Sequence, residues 1–170
     1  MSKPRIHVSK CLGFGICRWD GKEILNGFIE KLKTEIEFIS VCPELAIGLG
    51  VPRDPVRLVY KGDKLYFLQT NTKKDLTMAM KNFADKIVGS LARIDGFILK
   101  DHSPSCGISN VGVYPSLTSK EPVSMTNGFF ASQILKRFPE TPAITEKMLS
   151  DDKKREDFLD KIFKSTNIWK

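Results

Sequence analysis

The run Asp95-Gly96-Phe97-Ile98-Leu99-Lys100 decides the fold class. Phe97-Ile98-Leu99 is a short, unbroken apolar stretch behind an Asp-Gly turn signal, the pattern of a central strand in a parallel sheet. Before it, Leu76, Met80, Phe83, Ala84 and Ile87 recur at helical spacing, and Thr72 with Asp75 three residues on reads as a capping box that opens this helix. Further upstream, Val56–Tyr60 and Lys64–Leu68 flank Gly62-Asp63, a β-hairpin signal. Arg5–Ser9 and Glu35–Val41 are strand-like, and helical spacing at Ile24–Lys33 lies between them. Downstream, Asn127–Phe138 and Asp152–Lys164 read as amphipathic helices, the first stopped by Pro139. The alternation predicts a layered α/β fold with a largely parallel sheet and one added hairpin.

Composition narrows the function classes. The chain of 170 residues carries 27 Lys+Arg against 20 Asp+Glu, a net charge of +7, and is 41% hydrophobic. That apolar content offsets the entropy of ordering and excludes a disordered chain. No repeat, low-complexity tract or linker interrupts it, so one domain over residues 1–170 is expected. No apolar run approaches the roughly 18 residues of a membrane span. Met1 to Val8 passes from charge straight into a strand pattern, without the apolar core of a signal peptide, so a cytoplasmic location is expected. Residues 53–100 hold ten Lys/Arg against five Asp/Glu, a mild basic bias that suits nucleotide or RNA partners and equally a solvated surface.

The four cysteines carry the chemistry. Four are too few for a disulfide scaffold, which leaves core fillers, metal ligands or nucleophiles. Cys11 follows the first predicted strand, Cys42 the second, and Cys106 the Phe97–Lys100 strand by one loop. In a parallel α/β sheet the loops leaving the carboxyl ends of the strands line one crevice. Cys42 precedes Pro43-Glu44 and Cys106 lies in Ser103-Pro104-Ser105-Cys106-Gly107, which are turn-forming rather than core contexts. Three soft thiolates suit zinc or an iron–sulfur cluster. Clustered ferredoxin spacings are absent, so a cluster would have non-local ligands. A closed zinc site wants a fourth ligand, for which Cys17 and His102 are candidates, whereas three protein ligands leave a position open for chemistry.

Three blocks together resemble the thiouracil desulfidase (TudS) family. They are Ser9-Lys10-Cys11-Leu12-Gly13 with Cys17-Arg18-Trp19-Asp20-Gly21, Cys42-Pro43-Glu44 with Gly48 to Pro52-Arg53, and Lys100 to Cys106-Gly107. The likeness runs from about Arg5 to Phe163 in the same order. Gly128-Phe129-Phe130-Ala131 and the Arg155-to-Phe163 helix are similar to a branch whose members often carry a further C-terminal domain, and the chain ends about where that domain would begin. The resemblance implies a Rossmann-like three-layer α/β/α fold and a non-redox desulfidase acting on a thiolated nucleobase, free or within RNA. It implies a [4Fe-4S] cluster on Cys11, Cys42 and Cys106, a catalytic acidic residue at Glu44 and an assisting serine at Ser103. Cys17 falls where members vary. After Cys106-Gly107 the chain reads Ile108-Ser109-Asn110, departing from the Tyr-Asp-Gly common there.

On the residues alone, Glu44 reads equally as a proton shuttle or as a solvated carboxylate favoured at a helix N-terminus. Arg18 and Arg53 suit surface pairs with Asp20 and Asp54 or the steering of an anion. Trp19 has the shape to stack on a base, although packing within its loop is the commoner use of such a residue. Two other functions compete: a thiol hydrolase using Cys106 aided by His102, and a zinc-stapled nucleic-acid-binding module, for which no RNA-binding signature is present.

Overall fold

The computed structural model describes residues 3–91 and 93–168. Strand β1 (Arg5–Ser9) leads through a long loop to helix α1 (Gly27–Leu32), strand β2 (Glu37–Val41) and the short helix α2 (Pro43–Ala46). The hairpin β3 (Val56–Lys61) and β4 (Lys64–Gln69) follows, then helix α3 (Thr77–Ser90) and strand β5 (Gly96–Leu99). Strands β6 (Val111–Tyr114) and β7 (Ser124–Thr126), helix α4 (Phe129–Arg137), strand β8 (Ala143–Thr145) and helix α5 (Asp152–Ile168) complete the order.

Strands β2, β1, β5 and β8 form a four-stranded sheet, parallel throughout. All four residues of β5 are buried, as expected of a strand covered on both faces. Alternation divides the two cores. Ile6, Val8, Ile98 and Ile144 pack with Ile29 of α1 and with Phe158 and Ile162 of α5. Phe97 and Leu99 face the other way, onto Met80 and Ala84 of α3 and Phe130 and Ile134 of α4. Helices therefore cover both faces of the sheet, the three-layer α/β arrangement.

The predicted hairpin is present, but it belongs to a sheet of its own. Strands β4, β3, β6 and β7 form a second, mixed sheet whose Leu58, Phe67 and Val113 join the α3/α4 core. The long helix starts later than the sequence suggests. Thr72 does not cap it: its amide donates to Asp54 Oδ2 at 3.0 Å and its hydroxyl to Gln69 Oε1 at 2.9 Å. The chain then stays paired to β4, with Leu76 N donating to Phe67 O at 2.9 Å, and Asp75 Oδ1 accepts from Thr77 N at the true helix start. Likewise α1 begins at Gly27, because Asn26 Oδ1 caps Phe28 N and Ile29 N while Ile24 N is held by Cys11 O at 2.9 Å.

Candidate active site

The site lies at the carboxyl edge of the parallel sheet. Cys11 comes two residues after β1, Cys42 directly after β2, and Cys106 in the loop after β5. Since β1 is flanked by β2 on one side and β5 on the other, these three loops leave neighbouring strands, and a crevice opens where the sheet's winding changes direction. A cavity of about 280 Å³ fills that crevice. All four cysteines of the chain line it, and all four are free thiols.

Three of the thiols neighbour one another, and Cys106 lies on its own loop close by. Cys17 hydrogen-bonds to both Cys11 and Cys42, and the Cys42 thiol also donates to Cys17 O at 3.6 Å. Cys106 bonds to the hydroxyls of Ser9 and Ser103 and lies near Cys42. These surroundings oppose ionisation. The neighbouring Cys11 thiol, ahead of burial, raises Cys17 to about 11; Cys42 is pushed up first by Cys17 and then by burial; burial first, with Cys42 and Glu44 nearby, carries Cys106 up to about 12 against the opposing pull of the Ser9 and Ser103 hydroxyls. Such thiols are poor nucleophiles but good latent ligands, because a coordinating metal removes the proton outright.

Glu44 sits in the same wall, buried on α2. Its Oε2 accepts from Arg53 Nε at 2.8 Å and Nη2 at 2.6 Å, and its Oε1 accepts from Ser105 Oγ at 2.8 Å. Arg53 Nη1 reaches on to Cys17 O at 2.9 Å and Gly50 O at 3.1 Å. The pair is interior: the side chain of Arg53 is 6% exposed. Arg53 is thus no surface partner of Asp54, whose carboxylate instead organises the Thr70–Thr72 turn. The sequence reading missed both Arg53 as a clamp and Ser105 as a partner of Glu44. Their only signal was membership of the motif blocks.

Ser103 Oγ accepts the amides of Ser105 at 3.2 Å and Cys106 at 3.1 Å, which curls the loop so that the Cys106 thiol faces the cavity wall. Ser9, at the end of β1, accepts Lys100 N at 2.9 Å and ties that loop to the neighbouring strand. Glu146, directly after β8, completes the edge by pairing with Lys100 and accepting Asp101 N at 2.6 Å. Arg18 pairs with Asp20 as expected, at 2.9 and 2.8 Å, and this holds the Asp20 carboxyl well below the usual range. Trp19, expected to be packed, is 47% exposed on the cavity rim.

His102 does not form a dyad with Cys106. Its ring is 63% exposed, with Nδ1 against Asn110 O at 3.0 Å and Nε2 at 3.3 Å from Asp101 Oδ2. Among the described residues, no three of His, Cys, Asp or Glu converge around a point the size of a single ion. A four-iron cluster makes a different demand, since each thiolate binds its own iron and the sulfurs stand apart around it. Free thiols carried by three strand-end loops around one cavity fit that group.

Comparison with known proteins agrees with this geometry. The family described as 2-thiouracil desulfurase matches residues 6–146. An uncharacterized protein, YbbK of Bacillus subtilis (strain 168), is 33% identical over 109 residues, 60% of this chain and 72% of that protein. The solved structure of a [4Fe-4S]-dependent thiouracil desulfidase, TudS, superposes with a TM-score of 0.66 at 28% identity, covering 88% of this chain and 95% of that one. The chain belongs to the 2-thiouracil desulfurase family, enzymes that cleave a carbon–sulfur bond.

Proposed function

We propose that this chain hydrolyses the thiocarbonyl of a thiolated pyrimidine base, giving the oxo base and sulfide, with Cys11, Cys42 and Cys106 holding a [4Fe-4S] cluster. One observation carries the reading: thiols from three adjacent strand ends share a cavity with a buried, clamped carboxylate. When bound, a cluster with three protein ligands supplies a Lewis-acidic iron that suits a soft sulfur. The protein's own groups do the rest. Arg53 saturates Glu44 Oε2, so proton traffic falls to Oε1, which needs only to exchange its bond from Ser105 for one from water. Glu44 takes a proton from the water that attacks the ring carbon and passes it to the departing sulfur, and the second water proton leaves to solvent as the new carbonyl forms, so the products are the oxo base, hydrosulfide and a proton. The carbon gains an oxygen and loses a sulfur, and no electron changes hands.

Ser103 uses its oxygen to hold the Cys106 loop, and its O–H is left to donate toward sulfur or substrate. The raised pKa of Cys106 and the engagement of both His102 ring nitrogens by Asn110 and Asp101 weigh against a thiol hydrolase. Four reduced cysteines fit a reducing cytoplasm. No helix among the described residues is long and apolar enough to cross a membrane.

Anaerobically reconstituted protein incubated with 2-thiouracil and no reductant tests the reading. It predicts uracil and sulfide in equal amounts. Glu44→Gln keeps the iron and loses roughly 10²- to 10⁴-fold in rate, the range for a positioned acid–base group. Equal turnover in that variant removes Glu44 from the mechanism.

A further inference from the structure

We propose that Trp19 selects for a planar aromatic base by stacking on the substrate ring at the rim of the cavity; the proposal rests on the desulfidase reading. Tryptophan side chains are usually well covered in folded proteins. Trp19 instead leaves 47% of its surface in water while lining the cavity. Among the described lining residues it is the only Phe, Tyr or Trp. The thiols and polar groups of the wall can meet the edge of a ring, but only the indole offers an apolar face of matching size.

The position of Trp19 is set before any ligand arrives. Its carbonyl accepts Arg53 N at 3.0 Å, and Arg53 Nη1 holds Cys17 O two residues earlier. On its other side Arg18 is bonded through Nε and Nη2 to Asp20, and Gly21 N closes the turn onto Arg18 O at 3.1 Å. The same arginine that clamps Glu44 therefore anchors the backbone of Trp19. Base recognition and the acid–base group are fixed to one another, and binding pays little to order the loop.

The test uses cluster-loaded protein under anaerobic conditions, with 2-thiouracil and with dihydro-2-thiouracil, which keeps the thiocarbonyl and ring N–H groups but not the flat aromatic ring. For 2-thiouracil, Trp19→Ala is expected to raise KM roughly 5- to 150-fold with kcat little changed, the range for loss of one base–aromatic stack. Trp19→Phe should restore most of it, and the dihydro compound should lose far less than 2-thiouracil does. In a Trp169→Phe background, which removes the chain's other tryptophan, unreactive uracil should give a saturable change in Trp19 fluorescence. An unchanged KM in Trp19→Ala, or the same rise for both substrates, overturns the proposal. If the wild-type protein releases no sulfide from 2-thiouracil, the desulfidase reading fails by itself. The uracil titration then decides the role of Trp19, and a flat titration rejects it.

Discussion

Glu44 and Arg53 are joined twice through a single oxygen, Oε2 accepting from Nε at 2.8 Å and from Nη2 at 2.6 Å. The remaining guanidinium nitrogen, Nη1, binds the carbonyls of Cys17 and Gly50. One buried cation thus aligns the carboxylate on α2, the Cys17 segment and the loop that leads into the β3–β4 hairpin. A planar guanidinium can satisfy these partners together, which the single ammonium of lysine cannot.

Arg53→Ala strands a buried carboxylate, so a loss of about 3–5 kcal/mol is expected, the cost of breaking a buried pair from one side. Arg53→Lys should lose less stability and still release sulfide slowly. Urea unfolding midpoints and initial rates measured on the two variants check this. Equal stability of Arg53→Ala and wild type contradicts the clamp.

Ser105→Ala removes the hydroxyl that donates to Glu44 Oε1 at 2.8 Å without touching the thiols. The variant should keep its iron content and turn over more slowly, because the carboxylate loses the hydroxyl that orients its free oxygen. An unchanged rate means that this hydroxyl does not position Glu44.

Gly128 supports the cysteine loop through close approach. A Cβ there would lie 2.4 Å from Ser105 C, 2.5 Å from Ser105 O and 2.6 Å from Cys106 N, all of them backbone atoms that cannot swing aside. Gly128→Ala is expected to destabilise the protein and lower its iron content. Gly89→Ala, which meets nothing within 4 Å in α3, should be neutral or stabilise by up to about 1 kcal/mol. Calorimetry and iron analysis of the pair separate a local clash from a general intolerance of alanine.

His7 gives the fold an acid sensitivity. Burial beside the rings of Phe97 and Phe130 lowers its pKa from 6.5 to about 4, and its Nδ1 has no hydrogen-bond partner among the described residues. The unfolded chain therefore binds the extra proton first. The associated stability is complete above pH 6.5 and is lost as the pH falls toward 4, to a total of about 3 kcal/mol. Urea midpoints of wild type and His7→Leu at pH 7 and pH 4.5 should show a smaller pH effect in the variant; an equal drop in both assigns the sensitivity elsewhere.

Much of this was legible in the sequence because strand ends are. The continuous run at Phe97–Leu99 and the β-rich Arg5–Ser9 and Glu37–Val41 mark the parallel strands, and the thiols follow them. The second sheet was harder to see: β6 is four residues broken by Gly112, and β7 is only three residues long. The start of α3 was misplaced because Asp54, far upstream, captures Thr72. The Glu44–Arg53 pair spans a Gly/Pro loop whose path no periodicity dictates, so a buried clamp read as surface charge. Trp19 escaped for the opposite reason, since apolar character alone does not tell a packed indole from one left open at a cavity rim.

The central claim is that Cys11, Cys42 and Cys106 serve one cluster. Its most direct measurement is iron and acid-labile sulfide per chain, with the visible absorption spectrum, after anaerobic reconstitution of the four single Cys→Ala variants. The account predicts equal iron and sulfide with a brown chromophore in the wild type and in Cys17→Ala, and loss of both in Cys11→Ala, Cys42→Ala and Cys106→Ala. An undiminished chromophore in any of those three, or stoichiometric zinc in place of iron in the wild type, contradicts it.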